Sequence, residues 1–285
     1  MPNFSIILPA KNEAHGLRKL LPVLRQCYPE AELVVVNDGS TDETIPVCNQ
    51  HNVKVITHPY TMGNGAAIKT GARAATGEIL VFLDADGQHS SADIGKLLSK
   101  RDQGFDMAVG ARDTASHANF GRLWANGLYN RLASWMTGHA IKDLTSGFRA
   151  VNAQKFREFL HLLPNGFSYP TTITMAFFRA GYAVGYVPIQ TAKRIGASHI
   201  RPTRDGFRFL LIIFRIGTLY SPLKIFFPIS ISFFMTGLFY YAYTFFTVGR
   251  FTNMSALLLS TSVLIFLIGL VSEQITNLLY SRGHD

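Results

Sequence analysis

The sequence predicts an α/β domain on a mostly parallel sheet, followed by an interfacial amphipathic helix and a two-helix transmembrane hairpin. Three observations carry that prediction. Short apolar runs alternate with helical periodicity over the first 110 residues, two long uncharged stretches lie near the C-terminal end, and the excess positive charge collects just before them. The expected partition is a domain over 1–200, an amphipathic segment over 201–222 and a hairpin over 223–285.

Candidate strands are Phe4–Leu8, Glu32–Val36, Val53–Thr57, Ile79–Leu83 and Asp106–Val109, with helices expected near 14–26, 42–51, 64–75 and 91–101. Strands that read as near-continuous apolar runs belong in a sheet covered on both faces. Beyond residue 110 the pattern becomes more helical, interrupted by a loop from Asp143 to Arg149. In sheets of this kind ligands bind beyond the carboxyl ends of the strands. Pro9, Ala10, Asn12 and Glu13 follow the first strand, Asp38 the second, and Asp84, Ala85, Asp86 and Gln88 the fourth.

The chain has 285 residues, 48% hydrophobic and 16% charged. That charged fraction is below the ~25% of an ordinary soluble domain and excludes a disordered chain. Two cysteines, Cys27 and Cys48, exclude a disulfide scaffold. The net charge is +9. Residues 1–150 are close to neutral and 225–285 sum to zero, so the excess lies between 151 and 224. It is not spread over a face that would bind nucleic acid, which removes nucleic acid as the expected partner. It points instead to a lipid bilayer and to phosphate.

Arg250 is the only charged residue between Ile225 and Ser272. Spans of about 225–248 and 254–272 follow, the first about 36 Å long as a helix, enough for a hydrocarbon core of ~30 Å. The short link Gly249–Asn253 makes a hairpin with both ends on one side. Arg201, Arg204, Arg208, Arg215 and Lys224 precede it and Arg282 follows, so the positive-inside rule puts those ends, and the N-terminal domain, on the cytoplasmic side of the cell membrane. On a helical wheel Arg204, Arg208 and Arg215 share one face, with Phe207, Leu210, Leu211, Phe214 and Leu219 over much of the remainder. That pattern suits a helix in the membrane interface or one packed on the domain, with Pro222 and Pro228 separating it from the first span. The N-terminus runs directly into a strand and carries no targeting pattern.

Asp84 and Asp86, two residues apart on a turn leaving a buried strand, can share a hard divalent cation, Mg²⁺ or Mn²⁺, with open positions for diphosphate oxygens. Asp38 at a strand end can accept hydrogen bonds from a nucleobase or ribose, while Ser40 or Thr41 is placed to cap the next helix. Gly63-Asn-Gly65, with Lys69 and Gly71 after it, is neither a Walker A loop nor a full dinucleotide fingerprint. Its glycines let the backbone approach either a ligand or a neighbouring segment. Arg112, Arg122, Arg149 and Arg194 are suited to bidentate phosphate recognition. Hydrolase-elbow and zinc motifs do not occur.

Taken in order, Leu8-Pro-Ala-Lys-Asn-Glu13, Val36-Asn-Asp-Gly-Ser-Thr-Asp42, Gly63-x-Gly65, Asp84-Ala-Asp-Gly-Gln-His89 and Asp143-Leu-Thr-Ser-Gly-Phe-Arg149 resemble family 2 glycosyltransferases with the GT-A (Rossmann-like) fold. The branch is that of the polyprenyl-phosphate glycosyltransferases, which includes dolichol-phosphate mannose synthases and bactoprenol glucosyltransferases. The resemblance covers about residues 4–200 and extends to Gly269-Leu-Val-Ser-Glu273 at the end of the second span.

It implies a nucleotide-sugar donor held by Pro9, Ala10, Asn12, Glu13, Asp38, Gly65, Lys69, Asp84 and Ala85, with the metal on Asp84, Asp86 and Gln88. It implies a polyprenyl phosphate acceptor held by Arg112, Arg122, Asn126, Ser146, Arg194 and Ser198, and it gives Asp86, Arg112 and Arg122 the catalytic roles. His199 stands where this branch usually has lysine, making that cation pH-sensitive. The Gln-x-x-Arg-Trp signature of processive synthases is absent, since Trp124 and Trp135 lie in other contexts. The expected reaction is inverting transfer of one sugar to the lipid phosphate. The alternatives are a family 2 transferase with a lipid-linked saccharide or protein acceptor, and a membrane-tethered nucleotide-sugar-binding subunit. A homo-oligomer is left open by the sequence.

Overall fold

The computed structural model describes residues 3–87, 89–112, 120–166, 168–190, 217–218 and 220–281, the side chains of 120–126 and 280–281 aside. The chain divides into two compact units, residues 1–200 and 201–285.

In the first unit, β1 (Phe4–Ala10), β2 (Glu32–Asn37), β3 (Lys54–Thr57) and β4 (Ile79–Phe82) alternate with α1 (Ala14–Cys27), α2 (Thr44–Gln50) and α3 (Asn64–Ala74). After β4 come α4 (Ala92–Asp102), β5 (Met107–Arg112), α5 (Phe120–Thr137), β6 (Arg149–Asn152), α6 (Ala153–Glu158), α7 (Tyr169–Arg179) and β7 (Val184–Ile189). The seven strands form one sheet in the order β3-β2-β1-β4-β6-β5-β7. β1 to β4 pair in parallel, as do β5 and β7, while β6 runs antiparallel to both its neighbours. The expected strands and helices are present with ends shifted by one to three residues. β6 and β7 are additions to that reading, and they make the sheet mixed.

α1 shows why the helices lie where they do. Leu17, Leu20, Leu21 and Leu24 recur at helical spacing and are buried with Ile6, Leu8, Leu33, Val35, Ile79 and Val81 in one core. Each fully buried leucine contributes about 1.5–3 kcal/mol. The sheet's other face carries Ile7 and Phe82, with Gly71 of α3 against Ile7 and the Phe156 ring of α6 tilted against Phe82, centroids 4.7 Å apart. Helices on both faces are what the continuous apolar strands require.

The second unit holds α8 (Pro222–Val248) and α9 (Asn253–Ser281), an antiparallel pair. Both are long and apolar enough to cross a membrane, and few of their residues are buried. Phe239 and Phe246 are 71% and 85% exposed, unlike the packed side chains of a buried core hairpin. The helices meet where Gly269 admits Phe226, a Cβ there falling 2.6 Å from the Phe226 Cβ, and where Ser230 Oγ donates to Ser262 O at 2.8 Å.

One expectation is corrected here. Pro228 does not separate the first span from what precedes it, because α8 begins at Pro222 and runs through Pro228. Proline is tolerated at the first helical position, and further in it removes one backbone hydrogen bond without ending the helix. Of the amphipathic segment expected over 201–222, residues 201–216 and 219 lie outside the described residues.

Candidate active site

The strand order reverses between β1 and β4, so the loops leaving those strands border a crevice at the topological switch point. The loops after β1 and β2 are tied together. Asp38 N donates to Ala10 O at 2.8 Å, Asn12 N to Ser40 Oγ at 2.9 Å, and Thr41 N to Asn12 Oδ1 at 2.8 Å. Asn12 holds φ +56°, a conformation asparagine accepts better than most residues. Asp42 accepts from Ala14 N at the start of α1 and from Thr44 N at the start of α2, each at 3.1 Å. Ser40 and Thr41 therefore do not cap α2 as expected. They face Asn12, and Asp42 serves two helix starts at once.

Asp38 is 4% exposed. Its carboxylate accepts from His58 Nδ1 at 2.8 Å, Met62 N at 2.7 Å and Gly63 N at 2.9 Å. Burial works against its ionisation, but these donors outweigh burial and hold the carboxyl below the usual carboxylate range. An ionised Asp38 can only accept, so His58 carries its proton on Nδ1 and presents Nε2 to Thr70 Oγ1 at 2.9 Å. The described donors to the Asp38 carboxylate all come from the 58–63 loop.

Gly65 and Lys69 both meet the 163–166 loop. A Cβ at Gly65 would overlap the Pro164 carbonyl oxygen, and Ala66 N donates to Asn165 O at 3.1 Å. Lys69 Nζ donates to Leu163 O at 3.1 Å and to Asn165 Oδ1 at 2.5 Å. Burial and the neighbouring Arg73 hold that ammonium below the ordinary lysine range. Of the two approaches the glycines allow, the fold uses the neighbouring segment, and the start of α3 is docked on the 163–166 loop.

The Asp84–Asp86 turn differs. Ala85 is buried because α1 comes down on it, a Cβ at Gly16 overlapping the Ala85 carbonyl oxygen. The flanking carboxylates belong to Asp84, its side chain 42% exposed, and to Asp86, which is partly buried. Because β6 runs against β4, the 143–148 loop that leads into β6 returns beside Asp84. A Cβ at Gly147 would lie 3.5 Å from Asp84 Oδ2. His89 stacks on Phe148 at 4.8 Å and holds Nε2 3.9 Å from Asp84 Oδ2. Burial outweighs the attraction of Asp86 and pushes the imidazole below its usual range.

Two carboxylates are a hard oxygen donor set that fits Mg²⁺ or Mn²⁺ completed by water and diphosphate. No group of three or more His, Cys, Asp or Glu that could hold a metal ion gathers among the described residues. Around the turn, His89 Nδ1 and Ser146 Oγ are buried without a hydrogen-bond partner. Gln88 lies outside the described residues.

At the end of β5, Arg112 is tethered to Asp143, Nε to Oδ2 at 2.8 Å and Nη2 to Oδ1 at 3.0 Å, with Nη2 also 2.5 Å from Thr145 Oγ1. Burial opposes both charges, yet each partner holds the other ionised, Arg112 above and Asp143 below its ordinary value. Neither partner engages Nη1. Ser146 is 2% exposed, its N–H on Asp143 Oδ1 at 3.1 Å.

Arg149, expected to be suited to phosphate, is 0% exposed. It donates to Pro170 O and Thr174 Oγ1 at 3.2 Å each and to Ser146 O, and it lies 5.8 Å from the Tyr169 ring. It ties the 143–148 loop to α7 rather than facing a ligand. The side chains of Arg122 and Asn126, on α5, and residues Arg194, Ser198 and His199 lie outside the described set.

Gly16, Asp143 and His89 shape the site without having been assigned roles from sequence. Asp143 and His89 stand in quoted motifs and Gly16 interrupts an otherwise good helix former, but Gly16 meets Ala85, Asp143 meets Arg112 and His89 stacks on Phe148, all distant in the chain.

Residues 5–160 match the family described as Glycosyl transferase family 2, and residues 221–278 match the GtrB C-terminal hairpin. The polyprenol monophosphomannose synthase of Mycolicibacterium smegmatis is 28% identical over 213 residues, 68% of this chain and 79% of that protein. The undecaprenyl-phosphate 4-deoxy-4-formamido-L-arabinose transferase of Pseudomonas fluorescens is 28% identical over 187 residues, 59% of this chain and 54% of that one. Among solved structures, glucosyl-3-phosphoglycerate synthase from Mycobacterium tuberculosis, in complex with Mn²⁺, uridine diphosphate and glucosyl-3-phosphoglycerate, aligns with a TM-score of 0.59. At 20% identity, over 76% of this chain and 79% of that one, it supports the fold alone.

Proposed function

The chain belongs to the family 2 glycosyl transferases, and from that premise we propose that it moves a single sugar from a nucleotide sugar to a polyprenyl phosphate at the cytoplasmic membrane face. The observation that carries this reading is the pair Asp84 and Asp86 at the switch point, with the Thr145-Ser-Gly147 loop against Asp84. The two membrane-length helices and the names of the relatives support the lipid acceptor.

Asp84 and Asp86, with Gln88, would hold Mg²⁺ or Mn²⁺, which when bound neutralises charge on the leaving diphosphate. The acceptor's phosphate monoester has a second pKa near ~6 and is already mostly dianionic at neutral pH, so no general base is required. Its oxygen attacks the anomeric carbon, the bond to the nucleoside diphosphate breaks, and the electron pair leaves with that diphosphate. Attack from the opposite face inverts the carbon. The chain's task is to place two anions that repel each other. Arg112, oriented by Asp143 and Thr145, offers its remaining edge to the acceptor phosphate, with Arg122 as the second cation.

The test is radiolabel transfer by the full chain in detergent or nanodiscs, with polyprenyl phosphate, Mg²⁺ or Mn²⁺ and a panel of UDP- and GDP-sugars. One donor should yield a lipid-phosphate monosaccharide. Failure of every donor, or transfer only to a lipid-linked saccharide or protein, overturns the reading.

A further inference from the structure

Under the donor reading, on which this inference rests, the crevice runs from the loop after β3 to the turn after β4. Those strands are three sheet spacings apart, about 14 Å. With Asp84 and Asp86 at the diphosphate end, the nucleobase falls at the β2–β3 end. Asp38 lies at that end, and its carboxylate can hydrogen-bond the edge of a base but offers no face for it to stack on. Of the strand-end loops there, Pro9-Ala-Lys-Asn-Glu13 and Asn37-Asp-Gly-Ser-Thr-Asp-Glu43 contain no aromatic residue. The 58–63 loop contains Tyr60.

Among the described residues of the first unit, the large apolar side chains left exposed are Val23, Tyr60, Met62, Leu128 and Trp135. Three of these lie on helices α1 and α5. The other two, Tyr60 and Met62, share this one loop, and Tyr60 is the most exposed of the five at 66%. The backbone beneath them is firmly held. His58 N donates to Asn37 O at 2.9 Å, Thr61 Oγ1 to Asp38 O at 3.2 Å, and Met62 and Gly63 N–H groups bind the Asp38 carboxylate. The Tyr60–Thr61 peptide rests on Gly39, where a Cβ would come within 2.8 Å of Thr61 N. An exposed aromatic on a loop secured from below costs little ordering entropy when a flat ligand settles on it.

We propose that Tyr60 is the stacking platform for the donor's nucleobase, and that His58, through Asp38, is a positioning residue for it. Stacking accepts any base, so this platform contributes affinity for the nucleoside end whatever the base.

The test measures binding of UDP, GDP and inorganic pyrophosphate, each with Mg²⁺, by titration calorimetry on the full chain in detergent micelles. Wild type is compared with Tyr60→Ala and Tyr60→Phe. Loss of the ring should weaken nucleotide binding roughly 5- to 150-fold, leave pyrophosphate unchanged, and be restored by phenylalanine to within about twofold of wild type. Equal nucleotide affinity in Tyr60→Ala overturns the platform while the donor site stands. A parallel loss of pyrophosphate binding also overturns it, because the variant would then be damaging the loop. A wild type that binds neither nucleotide removes the donor reading and the platform together.

Discussion

Two strand-end segments of the sheet look alike as sequence and behave oppositely in the fold. The Gly63–Lys69 segment after β3 and the Asp84–His89 turn after β4 both combine glycine with charge where ligands bind in such sheets. In the first, Gly65 and Lys69 are engaged by Pro164, Asn165 and Leu163. In the second, Ala85 is pinned under α1, between an Asp84 side chain that is 42% exposed and a partly buried Asp86. Residue type identifies a segment that can meet something closely. Which partner it meets is decided by the rest of the chain.

The sharpest way to break this contrast is Asp86→Ala. Transfer should fall by roughly 10³-fold, the scale of losing a group that stabilises developing charge, with thermal unfolding unmoved. Retained activity would place Asp86 with the scaffold residues. Arg112 stands between the two cases, tethered yet with one edge unclaimed by its tether. Asp143→Asn should destabilise the protein by about 3 kcal/mol, because it leaves a largely buried guanidinium without its counter-charge. It should also change the acid limb. The Asp143 carboxyl is held below its unfolded value of ~3.9, so its stabilisation is present above that pH and is lost as pH falls through the lower folded value. Denaturant titrations below about pH 4 should therefore show a shallower decline in the variant than in wild type. The smallest effect belongs to Lys69→Met, expected to cost at most about 1 kcal/mol in chemical denaturation and to leave UDP or GDP affinity within about twofold. A tenfold or greater loss of nucleotide affinity would return Lys69 to the ligand site.

β1 to β5 and α1 to α4 were legible because each carries its own pattern: Ile79–Phe82 is apolar throughout and Phe4–Leu8 is apolar except for Ser5, and the leucines of α1 repeat at helical spacing. β6 was not legible. It is four residues, Arg-Ala-Val-Asn, and becomes a strand by pairing on both sides with β4 and β5. Its first residue illustrates the limit, since nothing local to Arg149 announces a guanidinium buried among carbonyl oxygens. At the site, the Asp84–Asp86 pair could be read because strand end, spacing and chemistry lie within three residues. Arg112 with Asp143 could not, because the pairing joins segments 31 positions apart. Asp38 was found for its place at a strand end, but its partners His58, Met62 and Gly63 depend on where β3 lies beside β2.

The reversed strand β6 also has a consequence for how the enzyme is made. Asp84 acquires its neighbour Gly147 only when residues 79–82 zip against 149–152, segments about seventy positions apart, and such distant pairings are slow to form. During synthesis the first four strands emerge and can collapse well before that partner leaves the ribosome. The crevice is therefore completed late, and a chain interrupted before residue 149 carries the two carboxylates without the loop that faces them.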